Sequence, residues 1–62
     1  MKRLPDNDTK ELLKLWHTAR IAGAESRHAR LRWAAKEWDK AHRGEFLLAY
    51  KTLDAVTHGY GI

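Results

Sequence analysis

Hydrophobic residues recur every three or four positions in three segments of this chain, which is the spacing of one face of an α-helix. The segments span residues 9–22, 25–42 and 45–57. The residues that form the three apolar faces are Leu12, Leu15, Trp16, Ala19 and Ala22, then Leu31, Ala34, Ala35 and Trp38, then Phe46, Ala49, Tyr50, Leu53 and Val56. We therefore predict an all-α fold, a small three-helix bundle with Trp16 and Trp38 in its core.

A change of phase at Gly23 separates the first two helices. A continuous helix would carry the first apolar face on to Ala29 and Trp33, whereas the observed face falls on Leu31 and Trp38. The difference is two positions, or about 200° of helix rotation. A break at Gly23 lets both faces point inward, and glycine is a common helix terminator. The alternative is one long helix whose two halves pack on different partners, as a dimer would permit.

Capping signals mark the ends of the predicted helices. Asp8 and Glu11 resemble a capping box at the first N-terminus, and Gly44 suits the end of the second helix. In this interpretation the whole chain is a single helical domain. The terminal segments 1–7 and 58–62 lie outside the periodic pattern, so we expect them to be frayed tails.

The bulk composition limits the function classes. A chain of 62 residues buries only a small core, so we expect one domain of marginal stability. It has no cysteine, which fits a reducing cytoplasm, and no apolar run approaches the ~20 residues of a membrane span. No glycine-rich phosphate loop or placed nucleophile occurs, and so small a chain has little room for a substrate pocket. We expect no enzyme activity, no cofactor and no small-molecule substrate.

The four histidines are candidate metal ligands and candidate catalytic groups. No two of them have the i,i+4 spacing that places two imidazoles on one helical metal site, so no metal is expected. Asp39 and His42 are one helical turn apart, and a carboxylate–imidazole pair can act as base and orienter. With no nucleophile placed beside them, we interpret His42 as a partly buried polar residue.

Basic charge is concentrated in the middle of the chain. The net charge is +4, and residues 20–43 contain seven basic and three acidic side chains. This excess favours a partner with an acidic surface, either nucleic acid or protein. Trp33 lies on the opposite side of its helix from the apolar face, and a large aromatic residue on a basic face is typical of binding sites. The predicted contact residues are Arg20, Arg27, Arg30, Trp33, Lys36 and Lys40. The alternative is a charged face that is simply solvated.

Several large apolar residues lie off the main apolar faces. They are Leu13, Ile21, Leu47 and Leu48. A monomeric bundle would expose several of them, which favours a homodimer or a protein partner. The alternative is that Leu4 and the tail residues Tyr60 and Ile62 fold over part of this surface.

A helix-turn-helix is a second interpretation of the first two helices. The spacing from Ala19 to Gly23 resembles the end of the first motif helix and the turn of that family. The second helix would then present residues such as Arg27 to the major groove of DNA. The family pattern has apolar residues six and nine positions after the glycine, where this chain has Ala29 and Arg32. These departures weaken the resemblance, which covers about 20 residues.

The chain also resembles small helical accessory proteins of tailed bacteriophages and prophages. The resemblance is carried by the segment Arg30-Leu31-Arg32-Trp33-Ala34-Ala35-Lys36-Glu37-Trp38-Asp39-Lys40-Ala41-His42 and by Ala49-Tyr50-Lys51-Thr52-Leu53-Asp54. It implies a non-catalytic protein, made in the cytoplasm of a bacterial host, that modulates a host macromolecule by binding it. We expect the basic, tryptophan-containing face to make that contact with a host protein; the alternative is a small DNA-binding regulator that uses the same face.

Overall fold

The computed structural model describes residues 4–58, which form three α-helices. Helix α1 spans Asp6–Ile21, α2 spans Arg27–Ala41 and α3 spans Phe46–Val56. Each helix contacts both of the others, and residues 4–58 contain no β-strand. The predicted small three-helix bundle is therefore confirmed. The predicted break is confirmed as well, because Gly23 follows the end of α1 with a positive φ of 99°, a conformation that glycine adopts without steric cost.

The core is built from one fully buried leucine of each helix, surrounded by tryptophan and alanine side chains. The three leucines are Leu12, Leu31 and Leu53, and each contributes about 1.5–3 kcal/mol by burial of its side chain. Trp16 and Trp38 are 5% and 3% exposed, which confirms their predicted place in the core. The buried alanines are Ala19, Ala34, Ala35 and Ala49. Their small side chains let the helices approach closely around the two large indoles.

The start of α1 corrects the prediction. The helix begins at Asp6, three residues before the predicted start, and its N-cap position is Pro5 rather than Asp8. No side chain caps the first turn. Proline is suited to this position because it has no backbone N–H and its fixed φ matches the approach to a helix.

Leu4 explains why the first turn of α1 is ordered. Its side chain is 7% exposed and belongs to the core. Its backbone N–H donates to Oγ1 of Thr52 in α3, at 3.4 Å, and its carbonyl oxygen accepts from the Thr9 hydroxyl, at 3.1 Å. The prediction that residues 1–7 are frayed is therefore wrong for residues 4–7. The corresponding prediction for 58–62 falls mostly outside the described residues.

The two connections are held by side chains. The Ser26 hydroxyl accepts from the backbone N–H of Ala29 at 3.0 Å, so α2 begins at Arg27, two residues later than predicted. After α2, a carboxylate oxygen of Asp39 accepts from the backbone N–H of Gly44 at 2.8 Å. These bonds satisfy backbone donors that a helix end and a turn would otherwise leave open.

Trp38 joins the end of α2 to the start of α3. Its indole N–H donates to Oε1 of Glu45 at 2.9 Å. The ring of His42 stacks on the same indole, with 3.9 Å between the ring centroids and 8° between the planes. Despite this stack, His42 is exposed, so the prediction of a partly buried histidine is wrong. Asp39 and His42 thus have structural contacts in the α2–α3 turn, and the turn sets the direction in which α3 leaves.

Candidate functional site

The six predicted contact residues do not form one face. They separate into two neighbouring depressions at the connection between α1 and α2, together with two residues that are engaged in ion pairs. The larger depression, called here the Trp33 groove, is shallow and open, with a volume of about 360 Å³. Its lining consists of Ala22, Gly23, Ala24, Ala29, Arg32, Trp33 and Lys36.

Trp33 is the largest side chain of the groove. It is half-buried and packs against the hydrophobic core, so the prediction of a wholly outward tryptophan needs correction. The physical reason is the size of the indole, which extends from the edge of α2 back toward the core while one side remains accessible. The ring therefore contributes to stability and also lines an open surface.

The rim of the groove is basic. Arg32 and Lys36 are both exposed, and they are four residues apart, which places them on the same side of α2. Neither of them forms an ion pair with a carboxylate in the described part of the chain. Arg32 is not one of the predicted contact residues, although its i,i+4 spacing from Lys36 indicates that the two side chains share one side of the helix. The Trp33 groove thus combines an apolar floor with a basic rim whose two charges are not neutralised by a carboxylate in the described residues.

Arg20 and Arg30 belong to the smaller depression, called here the α1–α2 cleft. Its volume is about 140 Å³, and its lining consists of Trp16, His17, Arg20 and Arg30. The guanidinium carbon of Arg30 lies 5.2 Å from the centroid of the Trp16 ring, within the range of a cation–π interaction. One terminal nitrogen of Arg30 also donates to the carbonyl oxygen of Glu25 at 2.6 Å. Arg30 is thus fixed by two contacts within the chain.

Arg27 lies against α3 instead of the proposed contact face. One terminal nitrogen donates to a carboxylate oxygen of Asp54 at 2.8 Å and to the carbonyl oxygen of the same residue at 3.0 Å. It also reaches the Thr57 hydroxyl at 3.4 Å. The reason is its position, about 120° around α2 from Trp33, which turns it toward the neighbouring helix. We therefore remove Arg27 from the set of residues available to a partner.

Lys40 is engaged on the surface of α2. Its ammonium group lies 2.8 Å from a carboxylate oxygen of Glu37, one helical turn away. The pair is solvent-accessible, so its contribution to stability is small, but it reduces the positive charge that Lys40 offers to a partner. Lys36, which has no such pair among residues 4–58, is the stronger candidate.

The off-face apolar residues divide into two pairs. Leu13 and Leu48 are partly buried against the core, whereas Ile21 and Leu47 are 87% and 61% exposed. Ile21 is the last residue of α1 and is not among the residues that line the Trp33 groove. Leu47 lies in the first turn of α3. The predicted cover from Tyr60 and Ile62 lies outside the described residues.

Comparison with known proteins gives no family assignment. The chain matches no protein-family model, no curated protein and no solved structure. None of the helices in residues 4–58 combines the length and the apolar character that crossing a membrane requires. Over the same residues, no group of three or more potential ligand side chains is placed to hold a metal ion.

Proposed function

We propose that this chain is a non-catalytic binding protein that holds an acidic, partly apolar segment of another protein in the Trp33 groove. The observation that carries the proposal is the combination of an accessible indole among alanines with the unpaired charges of Arg32 and Lys36. Tryptophan is the residue type most enriched at the energetic centre of protein interfaces. Basic side chains at a rim accelerate association with an acidic partner and select against basic ones.

The size of the groove supports a peptide segment as the ligand. Its volume of about 360 Å³ lies at the lower end of the range of ligand pockets, roughly 300–1,000 Å³. It is open, so it fits one or two side chains of an extended or helical segment better than an enclosed small molecule.

The contacts that Arg27 and Arg30 make within the chain render recognition of DNA by α2 the weaker hypothesis. A helix-turn-helix would need Arg27 and Arg30 free to reach the major groove. Arg27 is bonded to Asp54, and Arg30 is held on Trp16 and Glu25. Binding to DNA would have to break these contacts, whereas a protein segment in the Trp33 groove leaves them in place.

The proposal includes the setting that the phage resemblance implies. The partner would be a host protein in the bacterial cytoplasm, and the chain would modulate that protein by occupying one of its acidic segments. Self-association through Ile21 or Leu47 stays a prediction, and light scattering on the purified protein measures it directly.

The experiment is a selection of short random peptides on the immobilised protein, followed by affinity measurements on the selected sequences. We expect sequences that combine acidic residues with aromatic or branched aliphatic residues, and we expect Trp33→Ala to weaken their binding by about 2 kcal/mol or more. Circular dichroism establishes that the variant is folded. In parallel, a duplex DNA shift assay between about 50 and 200 mM salt tests the DNA hypothesis. A salt-sensitive shift without peptide binding would overturn the proposal.

A further inference from the structure

The α1–α2 cleft is a second candidate site, because it adjoins the Trp33 groove but shares no lining residue with it. Three of its four lining residues carry a cation or an imidazole: His17, Arg20 and Arg30. None of its lining residues is acidic. Within residues 4–58, neither Arg20 nor Arg30 forms an ion pair with a carboxylate, so the positive charge of the cleft is not compensated locally.

The cleft is preorganised around Arg30. The cation–π contact with Trp16 and the hydrogen bond to the Glu25 carbonyl oxygen hold the guanidinium group in place. A guanidinium has five N–H donors, and only one terminal nitrogen is engaged with Glu25, so donors are left for a ligand. Ordering a flexible arginine is a large part of the cost of binding an anion. Here that ordering is already present in the unliganded protein.

The volume of the cleft selects the class of ligand. About 140 Å³ is well below the roughly 300 Å³ at which pockets for drug-sized molecules begin. One water occupies about 30 Å³ of liquid, so the cleft has room for a compact group together with a few waters. Two guanidinium groups match the charge of a dianion, and arginine is the side chain best suited to bidentate contacts with phosphate.

We propose that the α1–α2 cleft binds a phosphate group, with Arg20 and Arg30 as its charged ligands and His17 at its edge. The two helix dipoles have opposite effects on an anion bound in the cleft. Arg20 lies in the last turn of α1, where the dipole disfavours an anion, whereas Arg30 lies near the start of α2, where the dipole favours one. The guanidinium charges supply the attraction. The phosphate arrives either as the free ion or as a monoester on a larger molecule.

The test is a titration of the full chain, followed by the backbone amide and indole N–H signals in NMR spectra. Inorganic phosphate and O-phosphoserine are the two probes, and sodium chloride keeps the ionic strength constant. We expect saturable shifts at the Trp16 indole and at the amides near Arg20 and Arg30. Saturation by phosphoserine assigns a monoester as the source, whereas saturation by inorganic phosphate alone assigns the free ion. Shifts that do not saturate with either probe would overturn the proposal.

Two variants separate the cleft from general charge effects. Arg20 is exposed, so Arg20→Gln leaves the contact between Arg30 and Trp16 in place and should weaken phosphate binding about ten-fold. Lys51→Gln removes the same charge at an exposed position of α3 that lines neither depression, and it should leave the affinity within about two-fold of the parent chain. Equal effects of the two substitutions would mean that the ion only screens the surface charge, which contradicts a site.

Discussion

Arg27 of α2 donates to both a carboxylate oxygen and the carbonyl oxygen of Asp54 in α3, at 2.8 and 3.0 Å. The two residues are 27 positions apart, so this contact fastens the start of α2 to the end of α3. It also neutralises one of the cations that were predicted for the binding face. The pair therefore has a structural role, and its loss should affect stability and not binding.

Replacement of Arg27 by Gln tests whether this residue contributes to stability and not to binding. Because the ion pair is partly exposed, at 28% for Arg27 and 52% for Asp54, we expect a loss of only about 0.5–1.5 kcal/mol of unfolding free energy. Urea denaturation followed by circular dichroism measures it. Arg32→Gln is the matched control and should stay within about 0.5 kcal/mol. If Arg27→Gln instead weakens the binding of selected peptides without loss of stability, its assignment is wrong.

The bond between Trp38 and Glu45 gives a second prediction. Trp38→Phe keeps an aromatic ring in the core but removes the indole N–H, and it should lower stability by about 1–3 kcal/mol through lost packing and an unpaired carboxylate. Glu45→Gln is the control. Its amide oxygen can still accept the hydrogen bond from the Trp38 indole, so this variant should retain most of the stability of the parent chain. Equal losses in Glu45→Gln and Glu45→Ala would show that the bond does not hold the α2–α3 turn.

Burial of Leu4 predicts that the segment before α1 contributes to folding. Leu4→Ala should cost about 2–5 kcal/mol, as for other buried leucines, which is a large part of the stability of so small a domain. Thermal unfolding followed by circular dichroism provides the measurement. Pro5→Ala, at an exposed neighbouring position, is the control for changes in the same segment. A melting temperature that is insensitive to Leu4→Ala would mean that this residue is frayed after all.

Helix capping gives a fourth prediction, which distinguishes the observed cap from the expected one. Ser26 accepts from the backbone N–H of Ala29, so Ser26→Ala should cost about 1 kcal/mol. Asp8 makes no capping bond, and Asp8→Ala should lose only the helix-dipole contribution, about 0.3–1 kcal/mol. Chemical denaturation of the two variants side by side decides between them. A larger loss for Asp8→Ala would restore the capping box predicted from the sequence.

The helices could be predicted from the sequence because the spacing of apolar residues within each segment is enough to indicate a helix. The spacing of Leu12, Leu31 and Leu53 within their segments indicates which face of each helix is buried, and the phase change at Gly23 indicates where the chain turns. The burial of Trp16 and Trp38 could be predicted from the same periodicity. What periodicity cannot give is the side on which each neighbouring helix packs.

That missing information accounts for the corrections at the site. Arg27 lies four residues before Leu31, so it shares the buried side of α2, but only the position of α3 decides that it meets Asp54. Leu4 stands alone before the first periodic segment, and its partner Thr52 is 48 residues away. The indole of Trp33 is large enough to reach the core from a position that a helical projection assigns to solvent. Each case depends on tertiary packing.

The binding role of the Trp33 groove can be tested by a pair of charge reversals with the same change in net charge. Lys36→Glu reverses the rim of the groove, and the new carboxylate has favourable i,i+4 neighbours in Arg32 and Lys40, so the helix should remain stable. Lys10→Glu is the control, because it lies about 18 Å along α1 from Ala22 and adds an acid near a helix N-terminus.

The decisive measurement is the affinity of one selected acidic peptide for the parent chain and for these two variants, by calorimetry at physiological ionic strength. We expect Lys36→Glu to weaken binding about ten-fold or more, and Lys10→Glu to change it by less than about three-fold. Equal weakening by both substitutions, or unchanged binding in Lys36→Glu, would contradict a partner site at the Trp33 groove.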